Sequence, residues 1–588
     1  MIDNLILSEN AYFYFKKKDL SKTRINKIFI EVSREKMGHY TENEIQKLKI
    51  VDGKRVKYSL CIFKFKSPPT FIDDPEIIHE IKYAYLLIIE YDEFIVISKK
   101  HITGLKTLLK DYIEDLDYTL ISRLYLSDET YFEKFSMNNM DISDKTIRKK
   151  NIEANNIRNN FSPITASKYI LRYMRIADKN QRVSLSFSTS KITELGQKVY
   201  LEDYLKWTIK VANKIKQYDE KDSYLDHFAL PLDFQSNIDE LEPNGVLFLV
   251  DRLYEEIENG RLYNAYYEFK GKKRTVDIEY YLNKLKKCFE VVLNRDKENR
   301  YFIRNKIDKN LQLKINKASI TIHSKRLRNL KLQFLNKNDD IDIVKYLNKI
   351  KDYIITFDKT DIVYCSKKLF KDTKLLSTID SFLKVFKPFS ELERISSEKG
   401  EVNEFSTTFE EDSLFYFIDN TLADEFDYLV CDDMGNEWAD FISIENNKRI
   451  TFIHAKSGDE RLSASDFHDI VGQAQKNLGN LFDVSELERK IKNWKNPFKK
   501  SKIERLRCGD SLESLHDMYE TTLLAPNVRH RVYLVVDFIS KSNLEEALQK
   551  LKEGKTAKHQ VVQLLWLLSS LVLSCQEMGV EIFIACLP

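Results

Sequence analysis

Between Asp427 and Gly458 the chain reads DYLVCDDMGNEWADFISIENNKRITFIHAKSG, three short apolar runs separated by turn residues. Runs of this length and composition predict strands, and Asn446-Asn447-Lys448 predicts a tight hairpin between the last two. Side chains alternate faces along a strand, so His454 and Lys456 point one way and Ile453 and Ala455 the other. The hairpin sets Asp440, at the start of one strand, near the His454/Lys456 face at the end of the next. An acid and a lysine at neighbouring strand ends form the constellation around which the rest of the sequence is read.

At 588 residues the chain is too long for a single core, and roughly three or four domains are expected. The 94 basic and 91 acidic side chains leave a net charge of only +3, so any polyanion-binding surface has to be local. The start, MIDNLILSENAYFYF, lacks the basic lead-in and apolar core of a secretory signal. The most apolar run, Val561 to Leu573, contains Gln563 and is about half of what a membrane span needs, so it reads as a buried core helix. Seven scattered cysteines without a CxxC pair argue against a zinc ribbon or a disulfide framework. A cytoplasmic protein without membrane contact is the expectation.

Alternating patterns in residues 55–100 predict strands, and 104–126 predicts a helical segment. Lys145 to Asn160 reads as an exposed helix or connector. Pro231 and Pro243 bracket one expected domain edge, and the charged stretch Glu391 to Glu404 marks a second. The expected units are residues 1–235 and 236–395, both α+β, and 396–588, an α/β unit with a mixed sheet flanked by helices. Within the last, helices are expected near 409–421, 464–481, 543–552 and 560–576, with strands at 531–538 and 581–586. Ile278 to Leu293 is read as a helix of the middle unit.

Phosphodiester hydrolysis has two demands. Charge building on the phosphate must be neutralised, and water must be made a better nucleophile. A divalent ion on carboxylates meets both, and Mg²⁺ is satisfied with one or two protein carboxylates plus waters. A lysine beside it orients the water and stabilises developing charge. Glu411 precedes Leu414, Phe415 and Ile418 at helical spacing, which would put it on their buried face. Glu437 lies three residues before Asp440, and Asp432 and Asp433 lie nearby. Gln473 and Gln475 fall on the helix that follows Lys456, as does Gly472, which suits close packing. A basic tract with Trp494 and Phe498 interleaved (Lys492, Lys495, Lys499, Lys500, Lys502, Arg505, Arg507) reads either as a nucleic-acid groove or as a solvated charged face. No GxxxxGK[ST], GxSxG or HExxH sequence occurs.

The WADFISI…ITFIHAK…GQAQKN arrangement, over about residues 400–588, resembles the PD-(D/E)XK or restriction-endonuclease-like nucleases. It looks like the variant branch, found in nucleases of prokaryotic antiviral-defence systems, in which His replaces the acid. The resemblance implies Asp440 as metal ligand, joined by Glu411 or Glu437, and Lys456 as the catalytic lysine. It also implies His454 in the acid's place and Gln473 as a residue that steadies the site. The cofactor implied is Mg²⁺, with Mn²⁺ as a substitute. A nucleic-acid substrate, DNA favoured, is expected, with Lys495, Lys499, Lys500, Lys502 and Arg505 of the basic tract as the residues expected to bind it. Gating by the first 395 residues or by a partner such as a helicase or ATPase subunit is expected, as is a homo-oligomer. The competing expectation is a nuclease fold without activity, serving as a nucleic-acid-binding or partner-interaction module.

Overall fold

The computed structural model describes residues 4–34, 39–67, 69, 78–127, 129–141, 147–159, 161, 166–178, 181–219, 223–286, 288–294, 300–334, 340–351, 353–359, 361–372, 382–423, 426–458, 464–553 and 559–588. Helices mix with several sheets. The main antiparallel sheet of the N-terminal unit runs in the order His39–Val51, Lys54–Ser67, Glu80–Tyr91, Phe94–Lys100, Asn10–Lys16, Lys191–Glu194, Arg182–Ser186, Tyr169–Ala177, Tyr131–Asn139, Lys149–Glu153. Strand alternation makes it a two-faced layer. Leu86, Ile88, Ile95 and Ile97 pack with Ile25, Ile28 and Phe29 of helix Lys22–Arg34. Leu87, Ile89, Phe94 and Val96 belong to the cluster that holds Tyr204, Leu205 and Trp207 of helix Leu201–Lys216.

The 104–126 segment is helical only in pieces, because strand Ile113–Asp115 separates helices Leu105–Leu109 and Tyr118–Arg123 and pairs with Asn10–Lys16. The connector expected at 145–160 contains strand Lys149–Glu153 in its described residues. In the middle unit the helix read over 278–293 ends at Leu285, and Cys288–Asn294 is a strand. The β-branched pair Val291 and Val292 fits a sheet position better than a helix face. Sheet pairing also crosses both expected edges. Leu230–Leu232 joins Lys368–Lys371 in the middle sheet, and Phe386–Pro388 joins the C-terminal sheet.

That C-terminal sheet consists of β1 (Phe386–Pro388), β2 (Tyr428–Cys431), β3 (Phe441–Glu445), β4 (Arg449–Lys456), β5 (Leu506–Cys508), β6 (Arg529–Ser540) and β7 (Val580–Leu587). Their order is β1-β7-β6-β4-β3-β2-β5. Strands β1, β7, β6 and β4 are mutually parallel, whereas β4-β3-β2-β5 is antiparallel. The helices are α1 (Leu414–Phe417), α2 (Ala464–Asn477), α3 (Leu487–Trp494), α4 (Leu512–Leu523), α5 (Lys541–Lys552) and α6 (His559–Glu577). Ile450 and Phe452 of β4 pack in one cluster with Phe467, Ile470 and Val471 of α2, whereas Ile453 and Ala455 pack with Leu414 and Phe415 of α1.

Helix α6 contains the apolar run expected to be core, and Val562, Leu564, Trp566 and Leu568 are fully buried. No helix among the described residues is long and apolar enough to cross a membrane. The two preceding units both reach α6. Tyr169 Oη donates to Glu577 at 3.2 Å, Lys150 pairs with Glu577 at 2.6 Å, and Gln563 donates to the Asn244 carbonyl at 2.8 Å.

Candidate functional site

The β3–β4 hairpin forms as the sequence implies, with Asn447 in the left-handed conformation that Asn tolerates. Its register pairs Phe441 with Ile453, so Asp440 stands opposite His454 one step beyond the ladder. The Asp440 amide donates to the Ile453 carbonyl (3.0 Å), and the Ala455 amide donates to Asp440 Oδ2 (2.8 Å). The carboxylate thus continues the ladder where the backbone turns away. Asp440 is 7% exposed, and burial pushes its carboxyl up to about 7, with Asp433 and Glu398 adding to the rise and Ala455 and Lys399 opposing it.

Lys456 ends β4 and reaches Glu398 Oε2 at 3.4 Å. The loop that follows is tied to β6. Ser457 Oγ donates to Asp537 Oδ2 (2.6 Å), and the Gly458 amide donates to Oδ1 (3.0 Å). A Cβ on Gly458 would come within 3.3 Å of the Phe538 ring, so the close approach favours glycine. Burial raises the Asp537 carboxyl; the two donors lower it and Glu398 raises it further.

Glu398 and Lys399 come from a segment clamped to the start of α1. Ser397 bridges Ser413, the Leu414 amide donates to Ser397 and the Phe415 amide to the Glu398 carbonyl (3.1 Å). Lys399 pairs with Asp433 at 2.8 Å and with Glu398 at 3.3 Å, and lies over the Phe415 ring. Burial pulls the Lys399 ammonium down, but Asp433, Asp440 and Glu398 together hold it above its ordinary value. Glu437 is half-buried beside them, its carboxyl raised by burial and by Asp433. Arg505 Nη1 donates to the carbonyls of Cys431 (2.9 Å) and Asp433 (3.1 Å), which fixes the end of β2.

Five carboxylates (Asp433, Asp440, Glu437, Glu398, Asp537) therefore surround two ammonium groups (Lys399, Lys456) at the carboxyl ends of the parallel strands β4 and β6. Open α/β sheets place ligands at this edge. Burial is the largest cause of the raised carboxyls of Asp440, Glu437 and Asp537, and neighbouring carboxylates raise each of them further. Among the described residues no three His, Cys, Asp or Glu side chains already stand in a ligand cage. An ion that keeps several waters, as Mg²⁺ does, fits this donor set better than one demanding a full protein shell.

Several expected site residues lie elsewhere. Helix α1 starts at Leu414 because Ser413 caps it, accepting from the Tyr416 amide at 3.1 Å. Glu411 is thus left exposed in the preceding turn rather than on a buried helix face, and the acid that reaches Lys456 is Glu398. His454 is 1% exposed, its Nε2 has no hydrogen-bond partner, and burial alone lowers its pKa to about 4. It is therefore neutral and, lying two residues before Lys456, shares that residue's face of β4. Asp432 is no substitute ligand, since it accepts from Lys490 (2.7 Å), Trp494 Nε1 (2.8 Å) and the Trp438 amide (2.8 Å).

On α2, Gln475 turns inward to Ser570 (3.1 Å), and Gln473, two residues earlier on the helix, is exposed. Gly472 meets nothing within 4 Å of a Cβ, so close packing does not explain it. The basic tract divides. Trp494 and Phe498 are core, Arg505 is buried, Arg507 is held by Asp419 (2.6 Å), and Lys495 pairs with Glu513 (3.0 Å). Lys492, Lys499, Lys500 and Lys502 remain exposed.

Sequence reasoning missed Glu398, Lys399 and Asp537. The only signal for Asp537 was an acid inside an apolar strand, VYLVVDFI. Comparison with known protein families, curated proteins and solved structures found no match.

Proposed function

We propose that the C-terminal unit is a Mg²⁺-dependent nuclease of restriction-endonuclease-like type that hydrolyses nucleic-acid phosphodiester bonds, with DNA the favoured substrate. The observation that carries this reading is the convergence of Asp440, Glu398 and Lys456 at the carboxyl edge of the parallel strands. Asp440 and Glu398, with Asp433 or Glu437 at the rim, would hold the ion. When bound, it neutralises phosphate charge and acidifies a water. Asp440 would serve in its ionised form, which a nearby positive charge favours against the effect of burial. Lys456 exchanges its contact with Glu398 for the scissile phosphate or the attacking water, and its charge opposes the negative charge that builds there. Asp537 holds the Ser457-Gly458 turn and thereby the direction of Lys456. Lys492, Lys499, Lys500 and Lys502 are the exposed cations of this tract that would attract a polyanion.

Gating by the first two units, in an antiviral role, is consistent with Tyr169, Lys150 and Asn244 contacting α6, which in turn packs on α2 through Gln475. The second reading, a nuclease fold without activity, is favoured by the Lys399–Asp433 pair, which occupies an acid otherwise free for metal, and by the buried, neutral His454 that stands in place of an acid. Cleavage assays of wild type and Lys456→Ala with Mg²⁺, Mn²⁺ or EDTA separate the two.

A further inference from the structure

The N-terminal unit holds a cleft of about 340 Å³ that the nuclease reading does not use. It opens between helix Tyr118–Arg123, strand Tyr131–Asn139 and the end of helix Leu201–Lys216. Among the described residues, three cations line it. Arg123 is paired with Asp226. Arg158 and Lys214 have no carboxylate partner among the described residues. Arg158 lies over the rings of Phe132 (5.6 Å) and Tyr224 (5.8 Å), and Lys214 over the ring of Tyr125 (4.8 Å). Aromatic faces hold a cation in place without cancelling its charge, so both cations stay available to an anion. Asp219 supplies a carboxylate at the wall.

The remaining wall is mixed. Half-buried Tyr218 and Leu126 offer flat apolar surface, and Ser127 and Gln217 offer hydrogen bonds. The volume sits at the low end of small-ligand pockets, which run from roughly 300 to 1,000 Å³, and suits one nucleotide rather than a length of strand. Free inorganic phosphate would leave the apolar side unused, and a neutral nucleoside would leave two cations unanswered.

We propose that this cleft binds a phosphate-bearing nucleotide, either free or as the phosphorylated end of a nucleic-acid strand. The site stands independently of whether the C-terminal unit cleaves anything. The test is calorimetric titration of the full-length protein with adenosine monophosphate, adenosine, inorganic phosphate, and dinucleotides carrying a 5′-phosphate, a 3′-phosphate or neither. Adenosine monophosphate or a phosphorylated dinucleotide should bind at least about tenfold more tightly than its phosphate-free counterpart, and the tighter of the two identifies the source. Lys214→Glu and Arg158→Glu should each abolish that preference while leaving the melting temperature within a degree or so, and Asp440→Asn should leave it intact. Equal affinity with and without phosphate, no binding by any probe, or full binding by both charge-reversed variants would overturn the assignment.

Discussion

Replacing Asp440 by Asn should stabilise the protein while removing its activity. The carboxyl ionises at about 7 rather than near 3.8 because it is buried, so its charged form carries a penalty of about 4 kcal/mol as an upper bound. Asn keeps the acceptor for the Ala455 amide and the side-chain volume but never ionises. The sign follows from linkage. Below pH 3.8 both folded and unfolded Asp are protonated, and the variant gains nothing. Between 3.8 and 7 wild type loses stability relative to the variant as the unfolded chain releases its proton first, and above 7 the difference is constant. Relaxation around the charge reduces the realised difference to about 2 kcal/mol, which in a unit of 150–250 residues moves Tm by about 4–8 °C. Calorimetric melts of full-length wild type and Asp440→Asn at pH 4.5 and pH 8, without divalent ions, read it directly. The variant should melt higher by the full difference at pH 8 and by no more than about half of it at pH 4.5, where the unfolded carboxyl is already largely ionised, and 10 mM Mg²⁺, about a typical working excess, should raise the wild type alone. An Asp440→Asn protein no more stable than wild type at pH 8 would refute the burial argument.

Other residues give sharper divisions. Glu398→Ala should lower cleavage by at least about tenfold, whereas Glu411→Ala, in an exposed turn, should stay within about twofold of wild type in the same nuclease assay. Asp537→Asn should reduce kcat by about tenfold to a hundredfold with little change in substrate affinity, because it loosens the turn that aims Lys456, and a selective rise in KM would count against that role. Asp432→Ala leaves the buried Lys490 unpaired and should cost about 3–5 kcal/mol in denaturant melts, with Lys490→Met in the same chain recovering some of it.

What was legible in the sequence follows from what is local. Alternation over 441–456 and the Asn-Asn turn specify the hairpin, and the hairpin alone brings Asp440 to the end of β4 and Lys456. Glu398 and Lys399 were unreadable because their placement depends on the Ser397–Ser413 bridge and the start of α1, contacts with no periodic signature. The misplacement of Glu411 had a local remedy. Ser413 directly before LFYF is a helix-cap signal, and reading it fixes the helix start. The basic tract misled because a run of cations does not show which of them the core will enlist: Arg505 was taken to tie down backbone carbonyls, while Lys499 and Lys500 stayed in solvent. Alternation put His454 and Lys456 on one face of β4, but it did not show that His454 would be buried without a hydrogen-bond partner, its pKa lowered to about 4 by burial.

The most direct test is cleavage of supercoiled plasmid, linear duplex, and single-stranded DNA and RNA by full-length protein and by Lys456→Ala, each with Mg²⁺, Mn²⁺ or EDTA. Metal-dependent cutting by wild type, abolished by EDTA and reduced by at least about a hundredfold in the variant, is the expected result. Cutting that persists in Lys456→Ala, or that ignores EDTA, would contradict the assignment of the Asp440–Glu398–Lys456 cluster as a metal-dependent phosphodiesterase site.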